Sequence, residues 1–165
     1  MKYLLLGIIF ILLLFVVAYW GIKYVEEKAI RKVNSRMSFK ESLDLVGLPI
    51  ITFCQGENRY HFILDTGAAL SVVNEGAIKN FNYESLPKKG TNYGIDGNIL
   101  NTSFIKAHIE YKDNKFEEEF QVLDLTSAFN NIKQDYGVTV TGILGNSFFT
   151  KYKYILDFKE LVAYY

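Results

Sequence analysis

Cysteine is almost absent from this chain. Cys54 is the only one among 165 residues, so no intramolecular disulfide can form, which fits a reducing compartment and leaves an oxidising one open. Histidine is nearly as scarce: His61 and His108 share no metal-ligand spacing with each other or with Cys54. A zinc ligand set, a P-loop and a dinucleotide fingerprint are missing too, so the expectation is no metal and no cofactor. On apolar strands, His61 reads as structural and Cys54 as an inert core thiol. An excess of charge of one sign is also lacking. The 18 Lys and Arg balance 18 Asp and Glu, and there is no basic block of the kind that tracks a phosphate backbone, so nucleic acid is excluded as the expected partner.

Apolar character is what the chain has in excess, at 50% of its residues. The run from Tyr3 to Trp20 contains no charge; at 1.5 Å per residue it is about long enough to cross a bilayer, and Tyr19 and Trp20 end it as interfacial aromatics do. Residues 1–22 are therefore expected to be a transmembrane anchor touching the membrane through residues 3–20, with a cleaved signal peptide ending at Val16-Val17-Ala18 as the alternative. Residues 23–45 are expected to be a juxtamembrane helix or linker: Ile22, Val25, Ala29, Val33 and Met37 make a helical stripe, and Lys23, Lys28, Arg31, Lys32 and Arg36 suit a phospholipid surface. Those charges argue for a cytoplasmic domain, whereas the minimal Met1-Lys2 tail suits a signal anchor, and the reading leans to an exported, periplasmic domain. Residues 46–165 suffice for one domain and a modest core, but not for two lobes.

The candidate chemistry begins where the apolar run Phe62, Ile63 and Leu64, read as a strand buried on both faces, is followed directly by Asp65-Thr66-Gly67. A carboxylate is costly to bury there without a partner, and Gly67 supplies the backbone freedom for a tight loop. Taken alone, strand, Asx-type turn and strand is an ordinary feature of β-rich proteins. Later comes Gly142-Ile143-Leu144-Gly145-Asn146, an apolar pair, a glycine and then a helix over 146–152 with Asn146 as its cap. Between the two lies Gly94-Ile95-Asp96-Gly97-Asn98, whose Asp-Gly pair suits a type I′ hairpin turn.

In this order the motifs resemble the retropepsin-like aspartic peptidases, whose half-barrel carries an Asp-Thr/Ser-Gly loop and, later, a hydrophobic-hydrophobic-Gly motif crossing beneath it. The resemblance covers roughly residues 46 to 165. It implies that Asp65, Thr66 and Gly67 form the catalytic loop and that Ile143, Leu144 and Gly145 form the supporting motif. It also implies that Ala68 binds substrate together with a flap at Gly94, Ile95, Asp96 and Gly97. Thr66 would hold the loop across a dimer interface, and Gly67 would admit the substrate backbone. Strands over 48–54 and 59–64 feed the loop, and 154–158 and 161–165 close the domain as a hairpin. Residues 126–138 look like an inserted loop. The expected fold is thus mostly β, a single-domain acid-protease half-barrel with one or two short helices, preceded by a transmembrane helix. The expected function is that of a membrane-anchored aspartic endopeptidase acting on polypeptides. Because the reaction needs two carboxylates and the chain has one Asp-Thr-Gly, a homodimer is expected. The rivals are a catalytically inactive peptide-binding module of the same fold and a membrane-bound scaffold.

Overall fold

The computed structural model describes residues 2–93 and 99–165, in two compact units, 1–34 and 35–165. The first unit is one helix of 33 residues, α1 (Lys2–Asn34). Here the expected single-pass anchor is corrected: among the described residues no helix is long and apolar enough to cross a membrane. The uncharged part of α1 extends to Ile22. The same helix then continues through Lys23, Glu26, Glu27 and Lys28, with Lys23 Nζ lying 5.8 Å from the centre of the Trp20 ring. A single-pass membrane protein, on either side of a membrane, is therefore not supported.

In the second unit the elements follow as β1 (Met37–Ser38), α2 (Lys40–Val46), β2 (Ile50–Gln55), β3 (Asn58–Leu64) and β4 (Val72–Asn74). After a 3-10 turn (Glu75–Asn80) come β5 (Glu84–Tyr93), β6 (Ile99–Tyr111), β7 (Asn114–Leu123) and α3 (Thr126–Tyr136). The unit ends with β8 (Val140–Leu144), α4 (Asn146–Tyr152), β9 (Ile155–Asp157) and β10 (Val162–Tyr164). The mostly-β expectation is corrected as well, since the chain is mixed, about 39% helical and 39% strand, with two sheets. Much of the difference is α1. Another part is α3, which replaces the expected loop at 126–138: Phe129 is buried on it, Ile132 packs one turn later, and Gly137 at φ +71° ends it in a left-handed cap.

The larger sheet has the order β2-β3-β8-β4-β7-β6-β5, and a further pairing of β2 with β6 at Cys54 and Glu110 brings it round on itself. A small antiparallel sheet, β1-β10-β9, joins the start of this unit to its end. The core between them is aromatic. Phe53 meets Phe62, Phe116 and Phe148 edge-on at centroid distances of 5.9, 5.8 and 6.2 Å, an arrangement that adds electrostatic complementarity to apolar burial. Strand β7 feeds this core by alternation, with Phe116, Glu118 and Phe120 inward and Glu117 and Glu119 in solvent. The hairpin of β2 and β3 turns through Gly56, at φ +60°, and delivers the chain to Asp65.

Candidate active site

Strand β3 ends at the buried Leu64, and its ladder reaches one residue further, where the Asp65 N–H donates to Leu144 O at 3.0 Å. The chain then turns sharply. Asp65 Oδ1 accepts from the Gly67 N–H at 2.7 Å, and the Ala68 N–H reaches back to Asp65 O at 3.3 Å, an Asx-type turn that aims the half-buried carboxylate across the loop. A Cβ on residue 67 would stand 3.1 Å from that Oδ1, so glycine there keeps the turn open. Thr66 and Gly67 are exposed and Ala68 is half-buried.

Strand β8 lies between the two strands that flank this loop. It runs parallel to β3, pairing Leu144 with Leu64, and antiparallel to β4, pairing Ile143 with Val72. Two glycines permit this threading. At Gly142 a side chain would strike Val72 O, and at Gly145 it would stand 2.5 Å from Leu70 O and 2.7 Å from Ala68 O. Just past Gly145 the chain is stitched to the loop: the Asn146 N–H donates to Ala68 O at 2.8 Å, the Ser147 N–H to Ala69 O at 3.1 Å, and Asn146 Nδ2 to Thr66 O at 2.7 Å. Asn146 therefore braces the loop instead of capping α4, whose N-cap is Gly145.

The fold thus brings Asp65, Thr66, Gly67 and Ala68 together with Ile143, Leu144 and Gly145. Gly94, Ile95, Asp96 and Gly97 fall between the paired residues Tyr93 and Ile99 and lie outside the described residues. No family model matches this chain, and no curated protein matches it either.

Beneath the loop is a polar cluster that motif reading missed. Glu118 is 2% exposed, and its Oε1 accepts from Ser71 Oγ at 2.8 Å and from Ser147 Oγ at 3.2 Å. The serine oxygens in turn accept from backbone: Ser71 Oγ from the Gly145 N–H at 3.2 Å, and Ser147 Oγ from the Ser71 N–H at 3.0 Å. Burial pushes the Glu118 carboxyl above the usual range, while the Ser71 hydrogen bond, the Lys151 ammonium and the Ser147 hydrogen bond pull it back. Lys151 Nζ stands 3.9 Å from Glu118 Oε2 and also bonds Glu117 O. A cavity of about 320 Å³ opens beside the cluster, between Leu70, Phe104, Ser147 and Lys151. The one sequence signal was the run Phe116-Glu117-Glu118-Glu119-Phe120, in which period-two alternation puts the middle glutamate on the phenylalanine face.

Metal chemistry has no scaffold in the described residues, where no group of three or more His, Cys, Asp or Glu is positioned to hold an ion. His61 Nδ1 lies 2.9 Å from Thr52 Oγ1, and burial, with Arg59 nearby, pushes its basicity down, which favours a neutral, structural ring. Asp157 Oδ1 accepts from the N–H groups of Lys159 and Glu160, so this acid is engaged in a turn of the small-sheet hairpin.

Proposed function

We propose that this chain is an aspartic endopeptidase of the retropepsin-like kind, acting on polypeptides as a homodimer with Asp65 of each protomer in one shared site. The observation that carries the reading is the interlock of residues 65–71 with residues 143–147. It converts two short motifs, far apart in sequence, into one braced platform that holds a half-buried carboxylate beside exposed backbone.

The chemistry needs two carboxyl groups and one proton between them. The ionised carboxylate removes a proton from water as the water oxygen attacks the peptide carbon. The protonated partner gives its proton to the carbonyl oxygen, and the tetrahedral diol then collapses as the amide nitrogen is protonated and the C–N bond breaks. One protomer contributes one Asp-Thr-Gly, and a two-fold axis beside the loop supplies the second. Thr66 and Gly67 are both exposed next to Asp65, which supports a reading in which Thr66 meets the second protomer and Gly67 offers substrate a backbone without a side chain.

Asp65→Asn is the direct test. It keeps the shape and the acceptor oxygen that holds the Gly67 N–H while removing the base, so cleavage of a peptide library should be lost with no change in thermal midpoint. Unchanged turnover by that variant would sink the reading.

A further inference from the structure

We propose that Glu118 is the positioning residue of the Asp65 loop, acting as a shared acceptor that sets the direction of two serine hydroxyls and, through them, the backbone on either side of the site. The inference rests on the peptidase reading for its catalytic consequence but not for its geometry. A carboxylate oxygen only accepts, so when Glu118 Oε1 takes the protons of both Ser71 Oγ and Ser147 Oγ, each serine oxygen is left with lone pairs alone toward its other neighbours. Those neighbours are the Gly145 and Ser71 N–H groups. One of them belongs to the strand end that supports Asp65, and the other to the return limb of the loop.

The 3.2 Å approach of the two serine oxygens gives the acceptor its importance. Without it, one hydroxyl can donate to the other, the second hydroxyl loses its acceptor, and neither direction is fixed any longer. The position is also costly to fill with a glutamate for packing alone. Glu118 lies on β7 between Phe116 and Phe120, both in the aromatic core, and a side chain there gains nothing from carrying a buried carboxylate except the bonds it makes. The charges around it are Lys151 from α4 and Glu119 from its own strand, so α4 presents one cation to Oε2 while Oε1 faces the serines.

Two pairs of variants separate positioning from bulk stability. Glu118→Met removes the acceptor at similar length, and Glu118→Gln restores an acceptor oxygen without the charge. Ser147→Ala and Ser147→Thr form the second, gentler pair, because Ser147 is only half-buried and borders the cavity, which has room for a methyl group. Amide hydrogen exchange in the full-length protein should accelerate at Ser71 and Gly145 in Glu118→Met and Ser147→Ala, and return toward wild type in Glu118→Gln and Ser147→Thr. With a cleaved peptide, the same two damaging variants should lose roughly 10- to 100-fold in kcat with little change in KM, as a displaced catalytic group does.

Wild-type exchange at both amides in a folded Ser147→Ala and Glu118→Met would overturn the inference. So would faster exchange with an unchanged kcat. Absence of cleavage by the wild-type protein defeats the peptidase reading instead, and the exchange measurement then decides the role of Glu118 by itself.

Discussion

Glycine at 145 is required by its neighbours. A Cβ there would stand 2.5 Å from Leu70 O and 2.7 Å from Ala68 O, both backbone atoms that can yield only if the whole loop moves. Gly145→Ala should therefore lower stability by roughly 3 kcal/mol, the upper end of ordinary overpacking, read as a shifted urea midpoint. Gly67→Ala is the contrasting case. Its Cβ would press on Asp65 Oδ1 at 3.1 Å in an exposed turn, so stability should hardly change while the carboxylate is displaced and kcat falls. Glu118 adds a pH dependence at the same scale. Its folded carboxyl titrates above the usual range, so the folded state binds the proton more tightly than the unfolded chain does. The stability associated with that proton is fully present below the usual glutamate range and is lost as pH rises through the higher folded value. In urea titrations across that window, wild type should lose stability with rising pH more steeply than Glu118→Gln. Equal slopes would mean that Glu118 titrates normally.

Among the elements, α3 differs most from the sequence reading. Thr126 to Val138 lacks a long apolar stripe, and an exposed 11-residue helix gains little from intrinsic propensity. It forms because Phe129 and Ile132 find a pocket made by Ile50, Val140 and their neighbours, and because Gly137 supplies the left-handed residue that ends it. Gly137→Ala meets no steric obstacle but must adopt φ +71°, so it should cost about 1–2 kcal/mol and fray α3 without touching the Asp65 loop. Loss of helical circular dichroism at unchanged kcat is the expected pattern. Loss of activity instead would tie α3 to the site. The helix expected at 146–152 is present as α4, yet the residue expected to cap it holds Thr66 O with its side chain. Asn and Gly at such a junction are legible as a helix start; which of them caps depends on what packs against the start.

At the scale of the whole molecule, residues 35–165 carry their own core and both sheets. The boundary matters for any shortened protein. Met37 is 0% exposed in that core, β1 pairs it with Ala163, and the Ser35 and Arg36 carbonyls accept from Tyr154 and Tyr111. A protein starting at Ser35 should unfold in one cooperative transition, whereas one starting at Ser38 should lose the small-sheet pairing and melt lower. Equal midpoints for the two would show that β1 is dispensable. If two protomers share the site, the activity of the Ser35-start protein should fall faster than linearly on dilution as dimers separate. Constant specific activity in a demonstrably monomeric sample would reject the shared dyad.

Asp65-Thr66-Gly67, the strand before it, the Ile143-Leu144-Gly145 strand end and the α4 segment were all legible in the sequence. Each is a local event, in which a short apolar run is broken by a residue that turns the chain, and local chemistry is what one-dimensional pattern records. The mixed fold was not legible, because α3 depends on apolar partners from β2 and β8 and has little pattern of its own. The support of the site was least visible of all. Ser71, Glu118 and Ser147 lie on three different parts of the chain, and only the threading of β8 between β3 and β4, beside the inward face of β7, puts one carboxylate within reach of both hydroxyls.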